Sequence, residues 1–214
     1  AALTAAACGA RVAKHGNRAV SSSSGSADFF RALGVPTELA PDRAAALLAA
    51  TGFVFLFAPQ YHPAMRHAAQ VRRELGMKTI LNLAGPLANP AEARFQLLGV
   101  FAEGLCRPVA EAARILGVER AMIVHGLDGQ DEISVTGATR IVSLEGGEVR
   151  ESLFEPASLG LPEHPLEALR VGTAEENAAV ALRLMAGEEE PAAIRDAVLL
   201  NAGAALAVAG LAVG

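Results

Sequence analysis

The chain has 214 residues, 52% hydrophobic and 19% charged, with a formal net charge of −5. That is enough apolar sequence to bury one sizeable core, and too much for a disordered chain. The acidic balance, with pI ≈ 5.6, argues against broad binding to nucleic acid or anionic membranes and leaves room only for a local basic pocket.

In chain order, residues 1–8 read as the tail of an Ala-rich helix, and 10–13 as a short apolar strand. The strand empties into VAKHGNRAVSSSSGSAD (12–28), a loop of cations, hydroxyls and flexible backbone. Lys and Arg neutralise phosphate charge, and Ser hydroxyls and Gly amides hydrogen-bond phosphate oxygens. A short helix through Leu33, capped by Ser26 or Asp28 and stopped by Gly34, would aim its first amides at the same place. We read the stretch as an anion-binding loop for a phosphorylated substrate. Composition alone leaves a solvated Ser-rich linker as the alternative.

Pro41–Ala50 is a second helix, with Pro at its start and Gly52 after its end. FVFLF (53–57) is apolar on both faces, as a central parallel strand is. Residues 63–75 form an amphipathic helix, 78–83 a strand or turn, and LAGPLANP (83–90) a Gly/Pro loop. A strand at 95–100, a helix at 105–116 and a buried strand at 121–125 follow, the last ending in GLDGQDE. Residues 139–144 and 148–154 flank Glu145-Gly146-Gly147 as a hairpin. Helices at 173–186 and 191–213 close the chain, the second with a break expected near Gly203 or Gly210. The fold class is α/β, a largely parallel central sheet flanked by helices with a late antiparallel hairpin, in one domain over 1–214. Ligands of open α/β sheets sit at the carboxyl ends of the strands. The polar loops after 10–13, 53–57 and 121–125 fall there, which points to a single active site.

Asp131 and Glu132, with Asp128 nearby, are acids on a loop after a buried strand. Such a pair can hold Mg²⁺, directly or through water, while the ion takes further oxygens from a diphosphate. An ordinary acidic turn is the plain alternative. His62, Met65 and Arg72 are spaced to share a helical face, where Arg72 can hold a carboxylate. His67 and His164 are expected at the surface, and His125 either in a structural role or behind a residue of the site. No G-x-S-x-G and no Walker A sequence occurs, so the chemistry rests on positioning and electrostatics. Cys8 and Cys106 make no C-x-x-C pattern and read as free thiols of a reducing cytosol. The uncharged stretch 197–214 is Ala- and Gly-rich with Asn201 inside it, and reads as a buried helix rather than a membrane span.

KHGNRAVSSSSGSADFFRALG (14–34), HPAMRHAAQVRRELGMKTILNLAGPLANP (62–90) and VHGLDGQDEIS (124–134) together resemble the anthranilate phosphoribosyltransferase family. Nucleoside phosphorylases of similar fold lack the KHGNR wording. The resemblance implies Mg²⁺-dependent transfer of phosphoribosyl from phosphoribosyl diphosphate (PRPP) to the amine of anthranilate, in tryptophan biosynthesis. It implies PRPP contacts by Lys14, His15, Gly16, Asn17, Arg18, Ala19, Val20, Ser21, Ser22 and Ser26. Asn17 and Arg72 would meet anthranilate, with His62, Met65 and Gly85 as walls of its channel. Asp131 and Glu132 would hold Mg²⁺. The family also carries a GTGGD loop and a helical N-terminal domain, so the stretch is expected to be a fragment lacking the loop and most of that domain. It further implies a cytoplasmic homodimer with no nucleic acid or membrane partner. The alternatives are a nucleoside phosphorylase and a non-catalytic nucleic-acid-binding relative, of which the latter should be basic.

Overall fold

Two parallel strand pairs anchor the architecture, each in its own part of the chain. A computed structural model describes residues 1–18, 25–76, 79–170, 172–188 and 191–212, without the side chains of 66, 69, 70, 72 and 73. The elements are α1 (Ala2–Ala7), β1 (Val12–Gly16), α2 (Ser26–Ala32), α3 (Pro41–Thr51), β2 (Phe53–Phe57), α4 (Ala58–Tyr61), α5 (Arg66–Leu75), α6 (Ile80–Leu87), β3 (Phe95–Gly99), α7 (Cys106–Ile115), β4 (Arg120–Gly126), β5 (Thr139–Glu145), β6 (Glu148–Phe154), α8 (Ala174–Met185) and α9 (Ala192–Val208). They fall into two compact units. The first comprises Ala1–Ala10, Ala93–Arg170 and Glu190–Gly214, and the second Arg11–Glu92 and Val171–Glu189.

In the second unit β1 and β2 pair in parallel, Val12 opposite Phe53 and Gly16 opposite Phe57. Side chains alternate across a strand, and both faces of β2 are covered. Val54 and Leu56 pack with Ala44, Leu47 and Leu48 of α3, while Phe53 and Phe55 meet the ring of Phe30 from α2. This is why FVFLF carries no polar residue. On the side of β1 away from β2, Asn89 Nδ2 donates to the Ala13 carbonyl at 3.0 Å.

In the first unit the strand order is β3-β4-β5-β6, the first pair parallel and the rest antiparallel. α7 packs on β4 and β5, and α9 on β3 and β4. The hairpin turns at Gly146 and Gly147, both with positive φ, as a type I′ turn requires. The parallel pairs and the late hairpin stand as expected. Among the described residues they form two ladders rather than one central sheet.

Several boundaries moved for physical reasons. The first strand begins at Val12, not Ala10, because the Ala10 amide is spent on the Ala5 carbonyl, closing α1 through left-handed Gly9. Strand β1 therefore takes in Lys14, His15 and Gly16, which were expected in the loop. Gly25, not Ser26 or Asp28, is the N-cap of α2, and the Asp28 carboxylate accepts its amide. The expected helix from 63 starts as a 3-10 turn, Pro63–Met65, and becomes α-helical at Arg66. Residues 80–87, expected as strand, turn and loop, are helix α6, whose cap Thr79 donates its amide to Asn82 Oδ1 at 2.8 Å. α9 runs unbroken through Gly203 and ends before left-handed Gly210. Among the described residues no helix is long and apolar enough to cross a membrane.

Candidate functional site

The β1–β2 register places Asn17 and Ala58 just past the same, carboxyl end of the pair. Gly16 is fixed there by crowding. A side chain at Gly16 would strike the Ser26 hydroxyl and the Phe55 ring. Ser26 Oγ and the Ala27 amide both donate to the Asn17 carbonyl, at 3.4 and 3.1 Å, so the two ends of the Ser-rich stretch are tied together. The loop residues Ala19, Val20, Ser21 and Ser22 lie outside the described residues. Arg18 is engaged at 2.9 Å by Glu38 and lies over the Phe57 ring.

His15 and His62 meet edge to face, with ring centroids 5.0 Å apart. Burial, then the neighbouring His62, lowers the His15 pKa, although its hydrogen bond to the Gly85 backbone works the other way. A neutral ring that donates to Gly85 from Nδ1 keeps Nε2 as an acceptor. The Nε2 atoms of both histidines are buried and have no hydrogen-bond partner. The structure thus brings His15, His62 and Gly85 together. It does not place His62 and Met65 on one helix with Arg72. His62 is the C-cap of α4 and Met65 belongs to the 3-10 turn, because a residue before proline avoids helical geometry. Arg72 is in α5, but its side chain lies outside the described residues.

The acidic loop of the first unit leaves the carboxyl end of β4. Asp128 gathers it: Ser134, Thr136 and the Gln130 side chain all donate to the Asp128 carboxylate. Burial would raise the Asp128 pKa, but these bonds outweigh it and lower it. Asp131 and Glu132 are exposed. The residues that follow turn inward, and Ile133, Ser134 and Val135 are buried. Gly99 ends β3 directly against the Asp131 carbonyl, where a Cβ would overlap that oxygen. Among the described residues no group of three His, Cys, Asp or Glu forms a metal centre. Asp131 and Glu132 offer a pair of hard carboxylates that could hold a Mg²⁺ which keeps positions for water and phosphate oxygens.

The family model for the glycosyl transferase family, a/b domain, matches residues 1–213. This chain belongs to that glycosyl transferase family. It is 50% identical over 210 residues to the anthranilate phosphoribosyltransferase of Rubrobacter xylanophilus, covering 98% of this chain and 61% of that protein. It is 51% identical over 208 residues to that of Brevibacillus brevis, covering 97% and 60%. The glycosyl transferase chain therefore spans about three fifths of the length of the curated relatives it matches. Among solved structures, the Thermus thermophilus anthranilate phosphoribosyltransferase superposes with TM-score 0.92 at 49% identity, covering 100% of this chain and 63% of that one. The Saccharomyces cerevisiae enzyme in complex with PRPP and Mg superposes with TM-score 0.86 at 28% identity, covering 98% and 59%.

Sequence reasoning missed three supports of these two loops: in the second unit Glu38 beside Arg18, and in the first unit Gly99 beneath Asp131 and Asn201 on α9, which bonds both backbone groups of Ile133. Only Asn201 left a signal, as a lone amide inside an apolar helix. His164 was expected at the surface but is nearly buried against Asp196 at 2.9 Å. His67 is exposed and His125 is buried on the Val100 carbonyl, as expected. Both cysteines are free.

Proposed function

We propose that the protein is an anthranilate phosphoribosyltransferase, which joins PRPP to the amine of anthranilate and yields N-(5′-phosphoribosyl)anthranilate and diphosphate. The observation that carries this reading is the pair of buried, partnerless Nε2 atoms of His15 and His62 beside Gly85. Buried polar atoms ordinarily have partners, so an aromatic amine that can supply hydrogens is a fitting occupant. Identity near 50% with enzymes of that name supports the substrate assignment.

In this reading Lys14, Gly16, Asn17, Arg18, Ala19, Val20, Ser21, Ser22 and Ser26 receive PRPP, with His15 at their edge. Lys14 neutralises charge that builds on the departing diphosphate. Asn17, His62, Met65 and Gly85 flank anthranilate, and Arg72 holds its carboxylate as a bidentate partner. Asp131 and Glu132 hold Mg²⁺, which supplies charge neutralisation of the diphosphate when bound. An aromatic amine is neutral at pH 7, so no strong base is required. A neutral His15 acceptor orients the amine towards the anomeric carbon, and catalysis comes from alignment. The reading extends to a cytoplasmic homodimer acting in tryptophan biosynthesis, on the strength of the family likeness.

The test uses the full-length protein with PRPP, Mg²⁺ and anthranilate, following loss of anthranilate fluorescence. Turnover should require all three. Turnover of thymidine with inorganic phosphate, and none of anthranilate, would instead identify a phosphorylase.

A further inference from the structure

A buried amide on α9 lies far in sequence from every motif singled out above. Asn201 sits in the middle of α9 and is 6% exposed. Its Oδ1 accepts the Ile133 amide at 3.0 Å and its Nδ2 donates to the Ile133 carbonyl at 2.9 Å and to Ala197 at 3.0 Å. The side chain thus imitates a neighbouring strand and grips both backbone groups of one residue. On the other side of the acidic pair, the Asp131 carbonyl lies against Gly99 with no room for a Cβ. Glu132 is held between two pinned neighbours, Asp131 and Ile133.

We propose that Asn201 and Gly99 are positioning residues for the metal-binding pair, a two-sided backbone brace that fixes where the Asp131 and Glu132 carboxylates start from. The inference rests on the reading of that pair as Mg²⁺ ligands. An apolar residue at 201 would suit the surrounding helix better, since burying an amide requires all its bonds to be met. Here both amide hydrogens and the oxygen are engaged, and two of the three bonds are used on the residue next to Glu132. Two carboxylates on an exposed loop bind a cation only when their backbone is held in register. Partners outside the ligand shell ordinarily supply that order. Asp128 organises the loop from within through Ser134, Thr136 and Gln130. Asn201 and Gly99 tie it to α9 and β3.

The experiment uses full-length protein carrying Asn201→Leu, Asn201→Ser or Gly99→Ala. Mn²⁺, a spectroscopic substitute with the same preference for oxygen ligands, is titrated in the presence of PRPP by electron paramagnetic resonance. Mg²⁺ dependence of turnover and melting temperature are measured alongside. Each variant should need about tenfold more metal for half-saturation. Turnover at saturating Mg²⁺ should return to within about twofold of the unsubstituted protein. In the unsubstituted, metal-free protein the Ile133 amide should already exchange as slowly as the core strands. Unshifted metal titrations in variants that merely melt earlier would overturn the brace. So would an Ile133 amide that exchanges like an open loop, which decides the matter even if the variants do not fold. The double variant Asp131→Asn with Glu132→Gln separates the two readings. If it still binds Mn²⁺ normally, the metal assignment itself fails. If it loses Mn²⁺ while the Asn201 and Gly99 variants do not, only the brace fails.

Discussion

A single missing Cβ holds the end of β1 in place. Gly16→Ala would force the Ser26 hydroxyl and the Phe55 ring aside, and overpacking of this kind costs about 1–3 kcal/mol. We expect a lower denaturation midpoint and a higher KM for PRPP, because Ser26 and Asn17 move with it. Beside it, His15 gives a pH signature. Its pKa is lowered in the folded state by burial and by His62, so the unfolded chain binds the proton more readily. Stability should then rise with pH through the imidazole range and fall as pH drops below about 6.5. His15→Gln should flatten that part of the stability profile between pH 8 and 5. An unchanged slope would show that another group titrates there. For substrate, Arg72→Ala should raise KM for anthranilate far more than for PRPP, since only one substrate loses its carboxylate partner. Equal effects on both would remove that role.

At the scale of the element, α9 carries more than its apolar sequence announces. Near its start Asp196 is 5% exposed and receives His164 at 2.9 Å and Arg195 at 3.1 Å. Burial works to raise the Asp196 pKa, but the bonds from His164 and Arg195 prevail and lower it. A depressed carboxylate stabilises the fold above its unfolded value, and that contribution is lost as pH falls through the folded value. Asp196→Asn should therefore destabilise the protein at pH 7 by about 1–3 kcal/mol and make its acid unfolding less steep. Both are read from denaturant curves between pH 7 and pH 3. At the far end Arg120 donates to the carbonyls of Ala207 and Val208, a cation on the negative end of the helix. The element thus has a tie at its start, a cap at its end and, in Asn201, a grip at its centre.

At the scale of the whole molecule, a ligand that binds only the folded state must raise its stability, by about 2.7 kcal/mol at a hundredfold excess over Kd. PRPP with Mg²⁺ should raise the melting temperature of the full-length protein, and thymidine should not. A shift from thymidine and none from PRPP would reverse the substrate assignment. The strand–helix alternation, the hairpin and the free cysteines were legible in the sequence, because they follow from periodicity, turn residues and spacing within a few positions. The three motifs also carried the family. Helix α6 was not legible, since Gly85 and Pro86 read as loop signals while the Thr79–Asn82 cap decided for helix. Neither was the nearly buried position of His164 against Asp196, nor the crowding at Gly16 and Gly99. The sequence by itself determined which residue types stand at the carboxyl ends of the strands, because local pattern sets local structure. Only the tertiary structure decided that His15 meets His62 and that Asn201 grips Ile133 across 68 residues, because such contacts depend on where packing brings separate elements, and no local period encodes it.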